Sequence, residues 1–166
     1  MISNIPIYCD MDGVLVDFNG GISKILGREV TDVEGKFDWK ELEVHQRLYR
    51  DLAPLPDALL LWDFLKRNFS TVRILTALPI KAHFPFAVED KRAWILERLP
   101  DIKDHDILFG PYSKDKQFHL PMNGQAVLID DNVQNIAQWS NRGGIAIIHF
   151  EVRYTIGALM KLLPVV

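Results

Sequence analysis

Ile5-Pro6-Ile7-Tyr8-Cys9-Asp10-Met11-Asp12-Gly13-Val14-Leu15-Val16-Asp17 is the stretch from which the fold of this chain is read. Its first half is apolar and rich in strand formers, and it stops at two acids and a glycine. Such a run reads as a buried strand of a parallel sheet opening into a loop. Ligands of open α/β sheets collect at the carboxyl ends of the strands, where Asp10 and Asp12 then stand. Two carboxylates so close repel each other, and a divalent cation with a taste for oxygen ligands offsets that cost. A plain Asp-Gly turn accounts for Asp12-Gly13, but not for Asp10 or for the apolar run Val14-Leu15-Val16. The stretch therefore points to a metal or phosphate site.

Outward from it the chain alternates helix and strand signals. A helix is expected over 18–26, with Phe18, Ile22, Ile25 and Leu26 as its apolar side and Gly27 as its stop. After a polar loop, Asp38 caps a helix running through Leu42, Val44, Leu48 and Tyr49. Residues 52–56 carry two prolines and connect to a helix over 57–69 with the stripe Leu60, Leu61, Phe64, Leu65. Strands are expected at 72–75, 106–109, 126–129 and 145–148, and helices at 88–99, 133–139 and 154–163. Residues 110–121, with Lys114 and Lys116, read as loop. The alternation implies a three-layer α/β fold, a Rossmann-like parallel sheet covered on both faces. Three helical segments between the first two strands exceed what one crossover needs. Residues 18–55 are therefore expected to be a small helical cap inserted after the first strand, with 1–17 and 56–166 as the α/β core.

The 166 residues are 48% hydrophobic, enough for one sizeable core. A formal net charge of -3 gives no basic field, so no large nucleic-acid surface is expected. The single cysteine, Cys9, excludes an intrachain disulfide and reads as a small buried hydrophobe; a reducing, cytoplasmic compartment fits. No basic region precedes an apolar stretch, and no apolar run reaches membrane-spanning length, so neither a signal peptide nor a membrane partner is expected. Monomer and homodimer both stay open.

The polar strand ends share one rim. The first offers Asp10 and Asp12, the second Thr76, the fourth Asp130 and Asp131, and the loop after the third Lys114 and Lys116. Asp10-Met-Asp-Gly-Val, Ile-Leu-Thr76, Lys116 and Leu-Ile-Asp130-Asp131 resemble, in order, the four motifs of the haloacid dehalogenase-like phosphohydrolases. A closer resemblance is to their 5'(3')-deoxyribonucleotidase family, carried by Asp10 to Phe18, Leu-Ala-Pro-Leu-Pro56, Lys91-Arg-Ala-Trp94, Ser-Lys-Asp-Lys116 and Leu-Ile-Asp-Asp131. Four departures bear on the substrate: Ala77 stands where that family usually has Ser, Pro79 replaces an expected Arg, Lys114 replaces another, and the insertion is shorter.

Carboxylates serve as nucleophiles in phosphoryl transfer, so Asp10 is expected to attack phosphorus and Asp12 to act as acid, then base. The resemblance implies the same division of labour. Mg²⁺ is the expected cofactor, held by Asp10, the backbone carbonyl of Asp12, Asp130 and waters. Asp131 and Lys91 are expected just behind these groups, orienting water or a lysine. The Thr76 hydroxyl binds phosphoryl oxygens and Lys116 neutralises their charge. Phe18 and Trp39 either form the core of the cap or line a substrate pocket, together with Ala77 and Lys114; the resemblance favours the pocket for Phe18. The expected activity is a Mg²⁺-dependent phosphomonoesterase on (deoxy)nucleoside monophosphates. A sugar phosphate or nucleic-acid phosphate end is an alternative substrate, and a non-catalytic phosphate-binding protein the alternative of another class.

Overall fold

Ile7–Cys9 forms β1, the centre of the sheet. The computed structural model describes residues 2–30, 38–79, 83–110, 113–122 and 124–163, without the side chains of residues 113 and 114. β2 (Val72–Ala77), β3 (Ile107–Gly110), β4 (Val127–Asp130) and β5 (Ile145–Ile148) complete a sheet of order β3-β2-β1-β4-β5 in which every pairing is parallel. Ile7 pairs with Val72 on one side and Val127 on the other. The helices are α1 (Phe18–Leu26), α2 (Ala58–Asn68), α3 (Ala87–Arg98), α4 (Val133–Asn141) and α5 (Val152–Met160).

Side chains alternate across the pleat, so the sheet feeds two clusters. Ile7, Cys9, Ile74, Val127 and Ile129 join Leu61, Trp62 and Leu65 of α2, Trp94 of α3 and Leu159 of α5. Tyr8, Leu75 and Leu128 meet Ala126 and Trp139 of α4 on the other face. That is the expected three-layer α/β arrangement. Cys9 is a free, fully buried thiol that burial pushes well above its ordinary pKa. No helix among the described residues is long and apolar enough to cross a membrane.

The strand order reverses between β1 and β4. Crossovers from β1 run outward through β2 to β3, and the chain then returns to β1's other side. Such a switch point is where open α/β sheets place their ligands. Asp10 and Asp130 stand at the ends of the two strands on either side of it.

Between β1 and β2 the chain makes an excursion that closes on itself. Asp17 N donates to Ala53 O and Leu55 N to Leu15 O, each at 2.9 Å, with Val16 and Pro54 bridged antiparallel. α1 ends on Gly27, whose φ of 64° suits a left-handed stop. The helix expected from Asp38 through Tyr49 is instead two 3₁₀ turns, Trp39–Leu42 and Leu48–Arg50. Asp38 and Glu41 do form a reciprocal capping box. The intervening Glu43-Val44-His45-Gln46 has no apolar residue to bury, Val44 being exposed, and a short helix without packing is marginal.

Two other expectations shift. α2 buries Ala58, Leu61, Trp62 and Leu65 rather than a stripe led by Leu60, which is exposed. Trp62 offers more apolar area, and its Nε1 donates to Pro100 O at 2.9 Å, so the helix turns that way. The loop expected at 110–121 contains a 3₁₀ helix, Ser113–His119, which carries Lys116 inward.

Candidate active site

Asp10 extends the tip of β1, its N–H donating to Ile129 O of β4 at 2.9 Å. Its Oδ1 accepts the Met11 N–H and the Lys116 ammonium, both at 2.7 Å. Lys116 Nζ also lies 2.7 Å from Asp130 Oδ2, so one buried ammonium bridges the ends of two adjacent strands. Burial alone pulls that ammonium down, but the Asp10 and Asp130 carboxylates overcome it and hold the pKa above its ordinary value. Burial pushes Asp10 well above the usual carboxylate range against the pull of Lys116, and Asp130 and Asp131 push it the same way.

The loop after Asp10 is wound tightly. Val14, Leu15 and Val16 donate their N–H groups to Met11 O, and Gly13 N donates to Val16 O. Gly13 has φ of 74°, and a Cβ there would stand 1.9 Å from Asp131 Oδ2. Glycine is required twice, by backbone conformation and by the Asp131 carboxylate lying over it.

This winding turns Asp12 away from the other acids. Its Oδ2 accepts from Lys91 Nζ at 2.5 Å, while Oδ1 is buried without a hydrogen-bond partner among the described residues. Lys91, wholly buried in α3, places its remaining donors on Thr76 Oγ1 at 2.8 Å and Ala77 O at 2.9 Å. All three ammonium protons are thereby matched. The ammonium also sits 4.6 Å from the ring centre of Tyr49. A lysine five positions into a helix opposes the helix dipole, and Asp12 is the partner that accounts for it.

The group with cation-binding geometry is therefore Asp10, Asp130 and Asp131, whose ligand atoms lie within 4.8 Å of one another. Asp10 and Asp130 are the expected side-chain ligands, and Asp131, expected just behind them, offers an oxygen within the same distance; Asp12, expected to contribute its backbone carbonyl, turns its side chain to Lys91. Partial burial and the Asp130 carboxylate raise Asp131 to about 6. Four carboxylates face two ammonium groups at this rim, so the site carries an excess of negative charge that a hard divalent cation fits.

Phe18 and Trp39 belong to a ring of aromatic side chains. Phe18 stacks on Tyr49 at 5.9 Å between centres and lies 6.1 Å from Trp39; Phe84 closes the ring at 5.6 Å from Trp39 and 6.1 Å from Tyr49. Phe18, Tyr49 and Phe84 are buried, and Trp39 is 36% exposed. Ala77 contributes its carbonyl to Lys91 rather than a side chain. The Lys114 side chain lies outside the described residues. Tyr49, Phe84 and Asn135 were not singled out from the sequence. Asn135 alone had a local signal, an amide three residues past the helix cap Asn132 and five past Asp130.

The fold has close counterparts. A dehalogenase structure superposes with TM-score 0.57 at 14% identity, covering 98% of both chains. A HAD family hydrolase from Deinococcus radiodurans, with bound phosphate and sodium, gives 0.52 at 11% identity over 86% of this chain and 79% of that one. The class is thus the HAD-like hydrolase fold. Residues 3–157 match the family described as 5' nucleotidase, deoxy (pyrimidine), cytosolic type C (NT5C), and the chain belongs to that family. A candidate 5'(3')-deoxyribonucleotidase of Vibrio phage KVP40 is 28% identical over 130 residues, 78% of this chain and 67% of that protein. The chain is accordingly an enzyme, a hydrolase of the phosphatase and nucleotidase kind.

Proposed function

We propose that the protein hydrolyses (deoxy)nucleoside monophosphates through an aspartyl-phosphate, with Mg²⁺ as cofactor. The observation that carries the reading is Asp10 at the switch point, held through Oδ1 by Lys116 and Met11. That leaves Oδ2 as the attacking oxygen. Asp10 displaces the alcohol from phosphorus, and Asp12 gives the leaving oxygen its proton through the Oδ1 that Lys91 does not occupy. A water then attacks phosphorus, loses its proton to Asp12, and frees Asp10 and phosphate. Thr76 Oγ1 accepts from Lys91 and donates only a long 3.5 Å hydrogen bond to Ala77 O, which a phosphoryl oxygen would replace. Lys116 neutralises charge on the transferring group. The cation would be held by Asp10 and Asp130 with Asp131 at hand, and when bound it supplies charge to the phosphoryl oxygens.

Residues 18–55 serve as the cap in this reading, supported by the closed stem at Val16 and Pro54. The cap is seated on α3: Arg47 pairs with Asp90 at 2.7 Å, Arg50 with Glu97, and Trp94 Nε1 donates to Leu52 O at 2.8 Å. Of the aromatic ring, Trp39 is the member left partly open to a base. A second reading, a smaller phosphomonoester such as a sugar phosphate, draws on the same closure of Phe18, Tyr49 and Phe84 on one another. Phosphate release from a panel of nucleoside, sugar and aryl monophosphates, with and without Mg²⁺, tests both, with Asp10→Asn as the variant that must not turn over. Best turnover on a sugar phosphate refutes the nucleotide reading; turnover without Mg²⁺ or by Asp10→Asn refutes the chemistry.

A further inference from the structure

The Asp130 carboxylate has no exposed surface, so its lone pairs must be met inside the protein. Oδ1 accepts from the Asn132 N–H at 2.9 Å and from Asn135 Nδ2 at 3.1 Å. Oδ2 accepts from Lys116 Nζ at 2.7 Å and from Asn135 Nδ2 at 3.0 Å. A carboxylate can only accept, so the amide of Asn135 presents its NH₂ and not its oxygen. Asn135 is itself buried, in the first turn of α4, where the cap residue Asn132 accepts the N–H groups of Gln134 and Asn135. Contact with both oxygens at once resists rotation of the carboxylate. It keeps Oδ2 on the side of Lys116 and Asp10.

We infer that Asn135 is a positioning residue for the cation: it fixes Asp130 so that one oxygen of set direction is turned toward Asp10. This rests on the reading of Asp10 and Asp130 as cation ligands. The helix does not need an amide at this place for its own sake. Its N-terminus is already capped by Asn132, and Trp139 anchors it to the sheet. Partners that orient a metal ligand from behind typically change metal affinity about 10- to 100-fold when removed. Alanine at 135 deprives each Asp130 oxygen of one donor and leaves the carboxylate free to swing.

Manganese titration followed by electron paramagnetic resonance, without substrate, tests this on wild type, Asn135→Ala and Asn135→Ser. Asn135→Ala is expected to weaken Mn²⁺ binding at least about tenfold. Asn135→Ser, whose hydroxyl can restore one donor through a water, recovers part of the loss. Phosphatase activity of Asn135→Ala falls several-fold more at limiting than at saturating Mg²⁺. Wild-type Mn²⁺ affinity in either folded variant overturns the inference, as does an activity loss equal at limiting and saturating Mg²⁺, which marks general structural damage. If Asn135→Ala does not fold, Asn135→Ser decides alone by the same criterion. Wild-type protein that takes up no Mn²⁺ overturns the underlying cation reading as well, so the two failures are told apart.

Discussion

Lys91 Nζ, buried in α3, lies 2.5 Å from Oδ2 of Asp12 in the loop after β1. The pair holds one oxygen of Asp12 and leaves the other without a partner among the described residues. Removing one member of a buried pair typically costs about 3–5 kcal/mol, because the other charge is left uncompensated. Lys91→Met is therefore expected to lower stability by about that much and kcat by at least about tenfold. Adding Asp12→Asn should return most of the stability and none of the activity. Urea denaturation of the single and double variants measures the first; a double variant no more stable than Lys91→Met would contradict it.

Gly13 has no room for a side chain under Asp131. Gly13→Ala is expected to lose about 1–3 kcal/mol from its positive φ. It should also push the Asp131 carboxylate off the cluster and weaken Mn²⁺ binding. Denaturation and a metal titration read the two effects separately, and unchanged metal affinity would show that Asp131 is not needed near the cation.

The raised Asp131 sets a pH dependence for the metal-free protein. The folded carboxyl titrates at about 6 against an ordinary 3.8, so between those values the folded state binds more protons than the unfolded one. Its contribution is full below about pH 4 and is lost as the pH rises through about 6. In chelator, Asp131→Asn should raise Tm at pH 7.5, and the gain over wild type should vanish toward pH 4. A constant Tm difference across that range would contradict the raised pKa.

The ring of aromatic side chains separates packing from recognition. Phe18 is buried against Tyr49, so Phe18→Ala is expected to cost about 3–5 kcal/mol in stability. It should reduce turnover of nucleotide and aryl phosphate alike. Trp39, partly open, can still stack on a base, which is worth about 1–3 kcal/mol. Trp39→Ala should lower kcat/KM for a nucleoside monophosphate about tenfold more than for an aryl phosphate. Equal losses would assign Trp39 to packing as well.

Features with local causes were legible in the sequence. The apolar run ending at Asp10, the stop at Gly27 and the cap at Asp38 each depend on neighbours in the chain, and each stands where expected. A parallel sheet covered on both faces was legible from the alternation of helix and strand; the order of its strands was not. What failed depended on distant partners. Trp62 reads as core from its helical spacing, but nothing near it says that Pro100 O will take its Nε1 and leave Leu60 exposed. Nothing within residues 43–47 says that burial, not propensity, decides whether a helix continues there. At the site, residue types were readable but directions were not: Asp12 turns to a lysine from α3, and Asp131 folds back over Gly13.

The stem joining Leu15 and Val16 to Pro54 and Leu55 also bears on how the chain finds its structure. Ile7 must meet Val72 across the whole excursion, and closing so long a loop slows folding. Once the stem has formed, the intervening residues hang from it as a side branch. The search for β2 then runs over little more than α2. The stem thus acts as a shortcut in the contact order of the sheet, and the branch can lengthen or shrink without lengthening that search.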